Sequence, residues 1–188
     1  MKETKWACTI AVVLALYALA ATPVSASSQH DEGSAAIVAK LTAFLTSNHL
    51  DSLAVEDPSQ PGQMVAVLHV PKVQLLVIAG RCASVDALRA RLTAKAYRDV
   101  YSDLHGCATP DSRLFIQDLG ANGLAPERPR AGGAFDIVYE HMTQQTRFDG
   151  DHTAQKMSKE EYQRRFRAVD VEYARLASLL LTQSTTAK

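Results

Sequence analysis

The side chains best suited to bind a metal ion lie in the last quarter of the sequence, where His141 and His152 flank Asp149 and Asp151. Imidazole nitrogens and carboxylate oxygens are ligands that metal ions use in proteins. These four residues are therefore one candidate metal site. The sequence favours histidines on the surface near a turn, since aspartate is common in turns and surface histidines need no metal partner.

A calcium loop is a second interpretation of the same segment. Asp149, Asp151 and Glu160 stand at positions 1, 3 and 12 of such a loop. Position 6 must be a glycine to allow the sharp turn of the loop, and Ala154 occupies it. We therefore interpret the segment as a turn that precedes a capped helix, with calcium binding as the weaker alternative.

A candidate phosphate or cofactor site lies where a predicted buried strand passes into a predicted helix. Arg81 ends the strand, Ser84 opens the helix, and Arg89 lies further along it. A helix N-terminus and a guanidinium group can together hold a phosphate. In the alternative, both arginines form surface ion pairs with Asp86 or Asp99.

The sequence lacks the motifs of the common catalytic classes. It contains no G-x-S-x-G, H-E-x-x-H, P-loop, Rossmann glycine pattern or C-x-x-C. Its 20 basic and 20 acidic residues give a formal net charge of 0, so a basic face for nucleic acid is not predicted. These features favour a non-catalytic binding protein whose partner is a small molecule or another protein.

The first 26 residues predict export. Lys2 and Lys5 give a positive start, residues 7–21 are almost uniformly apolar, and small residues precede a cleavage site after Ala26. A retained anchor is less favoured because a spanning helix needs about 20 apolar residues. We expect a secreted or periplasmic protein with a flexible start at residues 27–33 and no later membrane span.

Two cysteines remain after this cleavage, Cys82 and Cys107. An even pair in an oxidising compartment most simply forms a disulfide. Closing that loop would stabilise the fold by about 3.5 kcal/mol through the lost entropy of the unfolded chain. A parallel strand-helix-strand unit over residues 73–104 would place both cysteines at the same end of the sheet.

Helices are predicted at both ends of a single domain over residues 34–182. Ser34 is a candidate cap for a first helix that ends near Asn48. Ser158 and Glu161 form a capping box for a last helix from residue 159 to about residue 181, followed by a disordered tail at 183–188. The apolar residues of the last helix follow 4-3-4-3-4 spacing: Tyr162, Phe166, Val169, Tyr173, Leu176 and Leu180. This stripe predicts docking on the sheet, with a coiled-coil seam between two chains as the alternative.

Between the helices, apolar runs predict six to seven strands and one further helix over residues 84–96. The predicted strands are 53–56, 64–70, 73–79, 100–104, 113–119, 135–140 and 143–148. The run at 73–79 alternates poorly, which predicts burial on both faces. Residues 120–133 form one long loop rich in glycine and proline, a common place for function. We expect an α+β fold with an antiparallel-rich sheet or a split β-barrel.

This element order resembles the split barrel of the pyridoxamine phosphate oxidase-like family over about residues 34–148. In that family the segment represented here by residues 80–84 contacts a flavin phosphate. The resemblance implies an alternative function as a flavin- or haem-binding oxidoreductase, with FMN or haem as cofactor and Arg81 and Ser84 as the phosphate contacts. A third alternative is an interaction module in which the loop at 120–133 and the last helix join a partner or a second copy in a homodimer.

Overall fold

The computed structural model describes residues 33–81, 114–128, 133–141 and 144–186. The helices are α1 (Ser34–Ser47) and α2 (Lys159–Thr186). The strands are β1 (Ser52–Glu56), β2 (Gln63–Val70), β3 (Gln74–Arg81), β4 (Leu114–Leu119), β5 (Asp136–Glu140) and β6 (Gln144–Phe148). Each strand pairs antiparallel with the next along the chain, so β1 and β6 are the edges of one open sheet. The predicted α+β fold with an antiparallel sheet and terminal helices is confirmed.

Strand β3 is buried on both faces, as its continuous apolar run predicted. Leu75 and Val77 belong to the large core on the face that carries both helices. Leu76 and Ile78 belong to a smaller buried cluster on the opposite face, together with residues of β1, β2 and β4. The alternation of a strand places successive side chains on opposite faces, so both clusters follow directly from this run.

Helix α2 packs on the sheet and against α1, as its apolar spacing predicted. Tyr173, Leu176 and Leu180 of the stripe are fully buried. Near the start of the helix, the Phe148 ring of β6 meets the rings of Tyr162 and Phe166 edge-on, with centroids 5.8 and 5.3 Å apart. The aromatic residues therefore fix the first turns of α2 over the β6 edge of the sheet.

The first helix does not use Ser34 as its cap, so that prediction is wrong. Gly33 is the N-cap residue, and Ser34 is the first helical residue. The Ser34 N–H donates to Asp170 Oδ1 of α2 at 3.0 Å, while the Ser34 hydroxyl accepts from the Leu124 N–H at 2.9 Å. The acceptor for the helix start thus comes from a neighbouring helix, which frees the serine hydroxyl to bind a distant loop.

The start of α2 follows the prediction more closely than its end. The Glu161 N–H donates to Ser158 Oγ at 3.1 Å, which confirms Ser158 as the capping side chain. The helix continues to Thr186. Residues 183–186 are therefore helical, where the sequence predicted a tail.

The outward edge of β6 is occupied by the side chain of Gln155. Its Oε1 accepts from the Arg147 N–H at 2.8 Å, and its Nε2 donates to the Arg147 carbonyl at 2.7 Å. The amide thus makes the two bonds that a further strand would make at this position. It also fixes the turn between β6 and α2 against the sheet.

Several sequence predictions lie outside the described residues: the segment 1–32, the helix at 84–96, the strand at 100–104, and the Cys82–Cys107 disulfide. Strands β3 and β4 are antiparallel neighbours, with Ala79 opposite Leu114. The chain consequently leaves and re-enters the sheet at the same end. Of the helices in the described segments, neither is long and apolar enough to cross a membrane.

Candidate ligand-binding pocket

The four candidate metal ligands are not gathered into a metal site. Within residues 33–81, 114–128, 133–141 and 144–186, no group of three or more His, Cys, Asp or Glu side chains could hold a metal ion. The Asp149 carboxylate instead lies 3.6 Å from Arg147 Nε and 3.9 Å from Arg128 Nη2. Asp151 Oδ1 accepts from the Ala154 N–H at 2.9 Å. These contacts belong to a turn before a helix, the interpretation that the missing glycine had favoured.

Only one of the three candidate phosphate residues can be placed. Arg81 is the last residue of β3 and is exposed. Ser84 and Arg89 lie outside the described segments. The phosphate or cofactor site therefore stays a prediction.

A cavity of about 340 Å³ opens where the loop after β4, the turn after β6 and the start of α2 meet. Its lining residues are Pro126, Glu127, Gly150, His152, Lys159, Tyr162, Gln163, Phe166 and Arg167. Lys159, Gln163 and Arg167 are spaced by four residues, so they form one stripe along α2. The two aromatic residues of the lining lie on the adjacent row and give the pocket an apolar wall.

Tyr162 links the three elements of this pocket. Its hydroxyl donates to the Pro126 carbonyl at 2.6 Å and accepts from the Gly150 N–H at 3.0 Å. The side chain is buried, and this burial raises the pKa of its hydroxyl. The hydroxyl therefore keeps its proton at neutral pH, and the walls of the pocket are joined before any ligand binds.

Two buried aspartates hold the loop that forms one wall. Asp118, on β4, accepts the N–H of Gly123 at 2.8 Å and that of Asn122 at 3.2 Å. Asp136, on β5, accepts the N–H of Leu119 at 2.8 Å and that of Ala125 at 2.9 Å. The backbone that leads to Pro126 and Glu127 is thereby fixed by side chains of the sheet.

The same loop is pressed against α1. Gly123 has a φ of +90°, and a Cβ built on it would lie 2.4 Å from Ala35 Cα. From α2, the Tyr173 hydroxyl donates to Asp118 Oδ2 of β4 at 2.9 Å. The loop is therefore bound to the sheet and both helices, so that the pocket has a fixed shape.

The charged groups in the pocket are not paired with one another. Lys159 and Arg167 lie on the α2 wall, and Glu127 lies on the loop wall. None of these three forms an ion pair with any residue of the described segments. All three side chains are exposed, so charges of both signs are accessible to a ligand.

His152 adds an imidazole ring to the lining of the pocket. Its Nδ1 lies 3.1 Å from the Met157 carbonyl oxygen, so the neutral ring carries its proton on Nδ1. In that tautomer Nε2 is a hydrogen-bond acceptor.

The buried aspartates are structural because neither lines the pocket. Burial raises the pKa of the Asp118 carboxyl, against the effect of the N–H groups that it accepts. Burial also raises the pKa of Asp136 to about 6, and the nearby Asp118 charge adds to this rise.

We expect the stability of the protein to depend on pH through Asp136. In the unfolded chain its pKa is about 3.9. Between about pH 4 and pH 6 the folded protein keeps a proton that the unfolded chain releases. The resulting stabilisation is complete below about pH 4, falls as the pH rises from about 4 to about 6, and is absent above about 6, a total change of about 2–3 kcal/mol.

Urea unfolding of the natural protein and Asp136→Asn, measured at intervals from about pH 4 to pH 7, tests this dependence. Asparagine stays neutral across the range, so the difference between the two proteins isolates the carboxyl. The natural protein should lose about 2–3 kcal/mol relative to the variant as the pH rises. A difference that stays constant with pH would show that Asp136 has an ordinary pKa.

Comparison of the chain with protein-family models, with curated proteins and with solved structures gave no match. The evidence for function is therefore the geometry of the chain itself.

The sequence pointed to His152, Tyr162 and Phe166 for other reasons, but it did not single out the charged residues of the pocket. Glu127 lies in the loop at 120–133, and Lys159 and Arg167 lie on the polar face of α2. Their common signal is the spacing of Lys159, Gln163 and Arg167, which places three long polar side chains on one stripe. The same spacing is typical of a solvated helix face. It indicates a binding site only once the fold brings Glu127 into the same cavity.

Proposed function

We propose that this chain is an exported, non-catalytic binding protein that holds a small organic anion in the pocket beside α2. The observation that supports this most is the pair of unpaired cations, Lys159 and Arg167, on one wall of a preformed cavity. A carboxylate or phosphate bound at either cation would accept charge-assisted hydrogen bonds, which are about twice as strong as neutral ones.

The rest of the pocket favours an organic ligand over a bare inorganic anion. Tyr162 and Phe166 contribute aromatic surface, and the volume of about 340 Å³ suits a small molecule. The joined walls reduce the entropy cost of binding because little must be ordered when the ligand enters. The proposed ligand therefore has an anionic group at the α2 stripe and an apolar body on the aromatic wall.

Export is part of this proposal and is supported by the basic start and the apolar run of the first 26 residues. The N-terminal residue of protein recovered from outside the cytoplasm tests it. Ser27 at that position supports export with cleavage after Ala26, and protein that stays in the cytoplasm with Met1 attached contradicts it.

Calorimetric titration with sodium 3-phenylpropionate tests the pocket. This probe carries one carboxylate and one phenyl ring. Arg167→Gln should weaken its binding at least about 10-fold because a charge-assisted bond to the carboxylate is lost. Arg164→Gln is the matched control, since Arg164 is an exposed arginine on the same helix that does not line the cavity.

Two results would contradict the proposal. One is the absence of binding heat with the natural protein, and the other is equal weakening by both arginine substitutions. Recovery of chemically altered 3-phenylpropionate would contradict the non-catalytic part. A flavin or haem absorbance band in the purified protein would instead support the oxidoreductase implied by the split-barrel resemblance.

A further inference from the structure

The pocket carries an acidic group opposite its cations. Glu127 lies on the loop wall, and a Cβ added to Gly150 would lie 3.3 Å from Glu127 Cγ. Its negative charge also contributes to the raised pKa of Tyr162. The Glu127 side chain is therefore placed beside the turn after β6, next to the tyrosine at the base of the pocket.

Charged side chains of both signs line this one pocket. Glu127 lines the same cavity as Lys159 and Arg167, yet it pairs with neither in the described part of the chain. Glu127 is exposed in the free protein, so a purely anionic ligand that covers its carboxylate removes water from it and offers no opposite charge, which costs free energy. A ligand that carries only a cationic group would leave the two basic residues in the same condition.

We propose that the pocket selects a small zwitterion, an aminocarboxylate with an aromatic or other apolar side chain. This inference rests on the proposed function and specifies its ligand class. The carboxylate would lie on the stripe of Lys159 and Arg167, the ammonium group would donate to Glu127, and the apolar body would contact Phe166. The unpaired charges then act against ligands that carry either charge alone.

Three probes with the same phenyl ring separate these cases in one titration series: phenylalanine, 3-phenylpropionate and 2-phenylethylamine. The natural protein should bind phenylalanine at least about 10-fold more tightly than either singly charged probe. Glu127→Gln should weaken the binding of phenylalanine by about 10-fold or more. The affinity for 3-phenylpropionate should stay unchanged or increase. Glu161→Gln is the control, since Glu161 is exposed on α2 and does not line the pocket.

The outcomes distinguish this inference from the proposal on which it rests. If 3-phenylpropionate binds as tightly as phenylalanine and Glu127→Gln changes neither, the zwitterion is excluded while anion binding stands. Tighter binding of 2-phenylethylamine than of phenylalanine also overturns the inference. If none of the three probes binds, both the ligand class and the proposed function are wrong.

Discussion

Replacing Asp118 with alanine is expected to lower the free energy of unfolding by about 3–5 kcal/mol. The carboxylate is completely buried and accepts the N–H groups of Asn122 and Gly123 and the hydroxyl of Tyr173. Alanine leaves these three donors without that acceptor. The loss of each buried acceptor costs about 1–3 kcal/mol, because the donors cannot regain water in the folded protein.

Urea unfolding at neutral pH measures this loss, with two smaller changes as controls. Tyr173→Phe removes one donor and its bond, and should cost about 1–2 kcal/mol. Asp118→Asn keeps one acceptor oxygen and should fall between Tyr173→Phe and Asp118→Ala. If Asp118→Ala cost no more than Tyr173→Phe, the carboxylate would not be holding the loop backbone.

Replacing Gly123 with alanine is expected to destabilise the protein by a similar amount, about 3–5 kcal/mol. The added Cβ would lie 2.4 Å from Ala35 Cα and 2.5 Å from Ala35 N, both backbone atoms of α1. Relief of this overlap requires the loop or the helix to move. The φ of +90° adds strain, since a residue with a Cβ rarely adopts it.

Gly62→Ala is the matched control for this substitution. Gly62 also has a positive φ, +78°, but a Cβ added there would meet nothing within 4 Å. It should therefore show the backbone strain alone, about 1 kcal/mol. Thermal or urea unfolding of both variants checks the comparison. Equal losses at Gly62 and Gly123 would mean that the close approach of the loop to α1 does not contribute.

Helix α2 and strand β3 could be predicted from the sequence because the patterns that indicate them are local. The stripe of α2 and the continuous apolar run of β3 each repeat within a few residues, and both elements form where that repeat predicted them. Helix ends depend on tertiary contacts. Ser34 has the right residue type for a cap, but Asp170 of a distant helix takes that role.

The pocket, and the contacts that hold its loop in place, could not be predicted from the sequence because they join distant segments of the chain. Asp118 shares the inward face of β4 with Ile116, so its burial alone could have been suspected from strand alternation. Its partners, however, come from a loop and from Tyr173, which lies 55 residues further along the chain. Glu127 and Arg167 likewise line one cavity only once β6 and α2 are in place.

The contacts that stabilise the fold also hold one wall of the pocket. Buried aspartates and a glycine hold the loop against the sheet and α1, and this loop presents Glu127 opposite the basic stripe of α2. Stability and binding should therefore be linked: Asp118→Ala and Gly123→Ala should weaken the pocket as well as the fold, because they act on the same wall.

A ¹⁵N-resolved amide spectrum of the protein titrated with phenylalanine tests most directly whether a ligand binds in the pocket beside α2. We expect the largest shift changes at Glu127, Gly150 and Gln163, whose amides belong to the three elements of the pocket. Arg167→Gln should move the midpoint of these changes to a phenylalanine concentration at least about 10-fold higher, while Arg164→Gln should leave the midpoint unchanged. Saturable changes confined to β1 and β2, or an unperturbed spectrum at saturating phenylalanine, would contradict a ligand site beside α2.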